Sequence, residues 1–301
     1  MLRRAVSTAL DAFISTALAA PVPAEVHGIA AALASAPGTV AVLFYGSNLR
    51  TGSLDGVLDF YVLTEGPRER GLWPRVGYRE FARAGTTLRA KIATMRLATF
   101  AAAAGGLSID TTIWTRFVQP AALVWTRDEA ARTAVTGAVA AAAITAARFA
   151  AVLGPEAGEA ADFWRALFRQ TYAAELRVEA AGREEQILQH GAGRYQALLP
   201  LAWKAAGIAF TREGERLTLA IDPQERMRWQ ALWARRRRLG RPLNIVRLVR
   251  AAWTFEGAGA YGAWKVERHT GVRVPLTAFR ERHPILAAPG VLLRVWRERR
   301  R

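Results

Sequence analysis

Two short apolar runs constrain this chain more than any other feature: Val40-Ala-Val-Leu-Phe-Tyr45 and Val57-Leu-Asp-Phe-Tyr-Val-Leu63. Runs of this length and β-branched or aromatic content read as strands, and strands have to pair in a sheet. The first stops at Gly46-Ser47, and a polar, glycine-containing stretch over 48–56, read as a loop or short turn, leads into the second. The second carries Asp59 among Val, Leu, Phe and Tyr. An acid in such a strand is costly unless it is paired or coordinates something. A plain turn at Gly46-Ser47 with Asp59 facing solvent would account for the same residues without chemistry.

The rest of the chain mixes both kinds of element. Helices are expected over about 3–19 and 23–36, ahead of the breaker Pro37-Gly38. Leu10, Phe13, Ile14 and Leu18 recur at helical spacing, which favours a packed amphipathic helix over a signal peptide. Further strands are expected at Thr87–Ile92 and Ala121–Trp125. From Arg127 the pattern is helical, over 127–152, 159–171 and 172–189, followed by a hairpin from Gly207 to Ile221 that turns at Glu213-Gly214-Glu215. Helix and a basic tail follow from Pro223. The expected fold class is α+β: a mixed-sheet domain over 1–126, a helical, winged-helix-like domain over 127–234, and a basic helical region over 235–301. At 301 residues and 51% hydrophobic, the chain can bury a core of that size. No uninterrupted apolar run reaches the roughly 20 residues that cross a bilayer; Arg132 and Arg148 interrupt the longest Ala-rich stretch. With no cysteine, disulfides, thiolate metal sites and cysteine nucleophiles are excluded.

The net charge of +17 is concentrated at one end. Residues 235–301 hold seventeen of the 42 basic residues and four of the 25 acids, so that segment carries +13. Such a field calls for a polyanionic partner, either nucleic acid or an anionic membrane surface. Arg235–Arg238 and the last ten residues are dense in arginine, with Trp253, Trp264 and Trp296 nearby. Trp settles at the headgroup level, and each basic residue near an anionic surface contributes about 1 kcal/mol. Arginine with aromatics also suits RNA. His269 and His283 have no companion at metal-ligand spacing and read as structural or headgroup-contacting residues.

Phe44-Tyr45-Gly46-Ser47, then Asp59-Phe60, is the strongest local motif. Nucleotidyltransferases of the polymerase-β type place a Gly-Ser where a strand turns into a helix, so that triphosphate oxygens can approach the backbone. Acids on the next strand hold Mg²⁺. Two acids two residues apart are usual there; here Val57 takes the first place and the nearest extra acid is Asp55.

Five blocks in order resemble the mitochondrial-type phosphatidate cytidylyltransferases, the translocator assembly and maintenance family. Tyr45-Gly-Ser-Asn48 is similar to the family's Tyr-Gly-Ser-Gly, with Asn48 for the second glycine, and Val57-Leu-Asp-Phe60 to its hydrophobic-Leu-Asp-Phe strand. Leu88-Arg-Ala-Lys-Ile92 resembles its lysine-bearing segment. Thr115-Arg-Phe-Val-Gln-Pro120 resembles Gly-Arg-Leu-His-Lys-Pro, with Gln119 in place of lysine. Thr171-Tyr-Ala-Ala-Glu-Leu-Arg177 resembles Ser-Tyr-Ser-Gly-Asp-Phe-Arg, with Glu175 for aspartate. Beyond about residue 240 nothing matches.

The resemblance implies a divergent bacterial member that uses CTP, Mg²⁺ and phosphatidic acid to make CDP-diacylglycerol and pyrophosphate. On that reading Asp59 is catalytic and holds the metal, helped by Asp55 or Glu175, and Lys91 is a second catalytic residue that holds phosphate. Tyr45, Gly46, Ser47 and Arg116 bind the nucleotide, and Arg177 holds the substrate phosphate. The basic region would dock the enzyme peripherally on the cytoplasmic face of the inner membrane. The alternatives are a nucleotidyltransferase acting on RNA or another acceptor, and an inactive binding module of the same fold.

Overall fold

The computed structural model describes residues 2–83, 85–174 and 182–298. Its centre is a sheet of β1 (Thr39–Tyr45), β2 (Val57–Thr64), β3 (Arg75–Arg83), β4 (Thr86–Arg96) and β5 (Ala121–Thr126), in the order β3-β4-β2-β1-β5. β1 runs antiparallel to β2 and β5, β2 parallel to β4, and β3 antiparallel to β4. The protein is therefore a mixed α+β fold, as the alternation of strand and helix patterns predicts.

Helix α1 (Leu2–Leu18) and helix α2 (Ala24–Ala34) precede the sheet. Because side chains alternate along a strand, each strand serves two cores. Val42, Phe44, Leu58, Phe60, Val62 and Ile92 pack with Val26, Ile29 and Leu33 of α2. Ala41, Leu43, Tyr61, Leu63, Ala93 and Met95 face the larger core, where Leu10, Ile14 and Leu18 of α1 are buried. The spacing that predicts a packed first helix is borne out.

Several elements depart from the sequence reading. The stretch over 48–56 contains a short helix, α3 (Ser47–Thr51). Strand β3 is unanticipated because its apolar residues, Val76, Tyr78 and Phe81, break alternation and three of its nine residues are Arg. It lies at the sheet edge, where charged side chains blunt pairing with other chains. Helices α4 (Leu97–Ala104) and α5 (Thr112–Phe117) are too short to show a period.

Helix α6 (Glu129–Leu153) starts where Asp128 Oδ1 accepts from Ala131 N at 2.7 Å. Its length and composition suit a membrane crossing, yet 72% of its most apolar stretch is buried inside the protein. Its buried face is mostly alanine, which lets α1, α4 and α5 approach it, along with α7 (Ala160–Ala174) and α9 (Ala192–Ala206). Trp203 of α9 donates Nε1–H to the Ala147 carbonyl at 2.9 Å. The boundary expected between helices over 159–171 and 172–189 is absent, since α7 continues through Ala174; α8 (Arg183–His190) begins after Gly182 at φ 92°. Strands β6 (Ala157–Glu159), β7 (Phe210–Glu213) and β8 (Arg216–Leu219) form a second sheet in the order β6-β8-β7, so the expected hairpin gains a third strand.

Helices α10 (Pro223–Thr254), α11 (Ala258–Thr270), α12 (Ala278–Arg282) and α13 (Pro284–Glu298) complete the chain. The start of this basic region is tied into the body. Arg236 is buried and donates to the carbonyls of Gly106 (2.7 Å) and Ser108 (3.0 Å). Arg247 pairs with Asp110 at 2.5 Å and lies over the Trp73 ring. Beyond α10, Tyr78 N donates to the Glu256 carbonyl at 2.8 Å, extending the β3 edge.

Candidate active site

One face of the central sheet changes character along its length. It is apolar at Leu43, Leu63 and Met95, and at the far end becomes Tyr45, Asp59 and Lys91. The register sets these three side by side: Tyr45 pairs with Asp59 across β1 and β2, and Asp59 with Lys91 across β2 and β4. Sequence spacing placed Asp59 in a strand; only the parallel pairing of β2 with β4 brings Lys91 to it.

Gly46 ends β1 at φ 95°, and a Cβ there would lie 2.9 Å from Asp59 Oδ2. No other residue can take that backbone over that carboxylate without displacing it. Ser47 follows, exposed, at the start of α3. Asn48, which stands where the resembled family has glycine, is buried and donates from Nδ2 to the carbonyls of Ser53 and Asp55, both at 2.8 Å. It closes the loop that carries the chain into β2, so the substitution serves the turn itself.

Asp59 and Lys91 form no hydrogen bond with each other or with any other side chain among the described residues, and each feels its burial first. Desolvation raises the Asp59 pKa, while the charges of Lys91 and Arg116 pull it down. Desolvation lowers that of Lys91, while Asp59 raises it. Arg116 enters from the last turn of α5, with its guanidinium 5.3 Å from the Tyr45 ring and 5.9 Å from the Tyr61 ring. The arginine is stacked over the sheet end, close enough for its charge to act on Asp59.

Two clefts meet here, sharing Tyr45 and Arg116. The first, of about 170 Å³, is lined by Gly46, Ser47, Arg50, Asp59, Gln119 and Tyr172 among others. The second, of about 400 Å³, has Lys91, Arg247 and Arg250 beside Trp73, Pro74 and Phe255. Five of the expected residues, Tyr45, Gly46, Ser47, Asp59 and Arg116, thus line one cleft, and Lys91 lines its neighbour. Asp55 is exposed and lines neither. Glu175 and Arg177 lie outside the described residues. Arg50, in the stretch read as a loop, and Arg247 and Arg250, in the region read as a membrane anchor, were not anticipated; no local spacing links them to the motif.

Asp59 is the only acid among the described residues lining either cleft, and no group of three His, Cys, Asp or Glu occurs among them. That donor set cannot cage a metal by itself. It does suit Mg²⁺ arriving with a triphosphate, because this ion usually takes one or two carboxylates and completes its octahedron with phosphate oxygens and water.

No family model matches the chain, and no curated protein is similar to it. Among solved structures, it is similar to a nucleotidyltransferase-like protein from Exiguobacterium sibiricum 255-15, with 15% identity and a TM-score of 0.26, over 83% of this chain and 80% of that one.

Proposed function

We propose that this protein is a nucleotidyltransferase that moves the cytidylyl group of CTP onto phosphatidic acid, yielding CDP-diacylglycerol and pyrophosphate. The observation that carries the transfer reading is the close approach of Gly46 to Asp59, whose pKa burial raises, in a cleft whose other charged residues among those described are Arg50 and Arg116. The choice of CTP and phosphatidic acid comes from the five sequence blocks.

The triphosphate lies along Gly46-Ser47, with Arg50 and Arg116 offsetting its charge. Asp59 is the protein carboxylate that would hold Mg²⁺, and the ion, when bound, neutralises charge on the phosphates as the leaving group departs. A phosphate oxygen of the acceptor attacks the α-phosphorus of CTP. The bond from that phosphorus to the bridging oxygen breaks, and pyrophosphate leaves with the electron pair. The acceptor is already an anion, so no proton has to be removed. The work of Lys91 and Arg116 is to bring two anions together, which is positioning and electrostatic stabilisation.

Membrane attachment belongs to the same proposal. Leu276, Phe279, Leu286, Leu293 and Trp296 are exposed on or just before α12 and α13, interleaved with Arg280, Arg282 and Arg294. Apolar and aromatic groups set among arginines suit peripheral docking on an anionic leaflet. In a bacterium the cytoplasmic face of the inner membrane offers one.

The test is turnover of CTP with Mg²⁺ and phosphatidic acid in detergent micelles, read by mass spectrometry of the lipid. Wild-type protein is expected to form CDP-diacylglycerol, and Asp59→Asn and Gly46→Ala to lose at least a hundredfold in rate. No product from folded, micelle-bound wild type would overturn the reading.

A further inference from the structure

We infer that the second cleft is the acceptor site, and that it takes a phosphate monoester attached to an apolar body, gripped in part by the C-terminal half of α10. This rests on the nucleotidyl-transfer reading of the first cleft.

The two clefts touch at Tyr45 and Arg116, and the neighbouring pair Asp59 and Lys91 is divided between them, Asp59 lining the first and Lys91 the second. A group seated in the second cleft is therefore the neighbour of a nucleotide seated in the first, and an in-line displacement needs the attacking oxygen to enter opposite the leaving pyrophosphate.

The lining has two chemistries. Lys91, Arg116, Arg247 and Arg250 supply four cations, and no acid lines the cavity among the described residues. Arg247 is turned partly toward Asp110 by their 2.5 Å contact. Its Nε is nonetheless buried without a hydrogen-bond partner. Arg250 is exposed and donates to the Leu72 carbonyl at the rim. An apolar wall of Leu72, Trp73, Pro74, Val76 and Phe255 completes the cavity, with Arg247 stacked over Trp73. A free inorganic anion would use only the cations, and a neutral apolar ligand only the wall. A phosphate on an apolar body uses both.

Part of this lining comes from the segment that charge assigns to a polyanionic partner and the family resemblance to a membrane surface. Arg247 and Arg250 come from α10 and Phe255 follows it, while the Glu256 carbonyl bonded to Tyr78 N fixes this turn against β3. One end of the basic region thus completes a site, and the remainder stays on the surface.

Isothermal titration with dihexanoyl phosphatidate below its micellar concentration, without CTP, tests this directly. Inorganic phosphate and dihexanoyl phosphatidylcholine are titrated in parallel, and CTP with Mg²⁺ separately. Two variants on the exposed side of the cleft, Arg250→Glu and Thr254→Trp, report on its charge and its space. Dihexanoyl phosphatidate is expected to bind at least tenfold tighter than either comparison ligand. Both variants should weaken it about tenfold while leaving CTP affinity within twofold. Equal affinity for inorganic phosphate, no binding, or unchanged affinity in both variants would overturn the inference. Lipid binding in protein that neither binds nor turns over CTP would instead leave the acceptor cleft standing and remove the transfer reading.

Discussion

Asp59 and Lys91 are two charges that the sheet end holds half-buried without a hydrogen bond between them. The Asp59 pKa is raised from its ordinary 3.8, so the native state holds that proton more tightly than the unfolded chain does. Stability then falls as pH climbs from about 3.8 to the raised value. The Lys91 pKa is lowered from 10.5, so stability recovers as pH climbs from the lowered value toward 10.5. Between these windows the full desolvation cost is present. The double variant Asp59→Asn, Lys91→Met, which keeps the volumes and removes both charges, is expected to gain about 1–4 kcal/mol near neutral pH. The gain should shrink toward both pH extremes, as read from urea unfolding at a series of pH values. A double variant less stable than wild type at pH 7 would mean that mutual attraction outweighs burial. Stability sacrificed at a site without a structural partner is the pattern expected of a residue kept for its chemistry.

At the scale of elements, α6 shows how a helix with almost no large side chains can organise a core. Ala142, Ala143, Ala146, Ala147, Ala150 and Ala151 are buried, and their small size lets large rings such as Trp114, Phe163 and Trp203 fill the space around the helix. Two substitutions on opposite faces separate packing from propensity. Gly137 is exposed, and a Cβ there would meet nothing within 4 Å, so Gly137→Ala should stabilise by about 0.5–1 kcal/mol. Ala143→Leu puts three extra carbons into a filled interior and should cost about 1–3 kcal/mol. Thermal unfolding should show the melting temperature moving in opposite directions for the two. A tolerated Ala143→Leu would indicate unfilled space beside α6.

For the molecule as a whole, the contact that matters most is the one between Asp110, ahead of α5, and Arg247, far along α10. Asp110 has a side chain only 3% exposed and also accepts from Thr112 Oγ1 at 2.7 Å, so it orients α5, the helix that carries Arg116. The same carboxylate thus anchors both the nucleotide-side arginine and the helix that walls the second cleft. Asp110→Ala strands Arg247 in a mostly buried place and should cost about 3–5 kcal/mol. In an Arg247→Met background the same replacement should cost at least 1 kcal/mol less, because that charge is no longer there to be stranded. Urea unfolding of the four proteins measures this; additive costs would show that the two elements are not coupled.

The sequence determined the local features by itself. Apolar runs without a charged face specify strands buried on both sides; Gly46 is required by a turn at positive φ; the spacing of Leu10, Ile14 and Leu18 specifies a helix face. Each of these is set by residues close in the chain, where side-chain alternation, helical period and backbone sterics act. The site motif was legible for the same reason, since Tyr45 to Asp59 is one strand, one turn and the next strand. Only the tertiary structure decided that Lys91 stands beside Asp59, that Arg116 stacks over Tyr45 and Tyr61, and that Arg247 and Arg250 from the basic end complete a second cleft. Composition could say that this end carries positive charge, but not where the charge goes. Its placement depends on long-range pairings, β2 with β4 and Asp110 with Arg247, whose partners leave no mark on each other's local sequence.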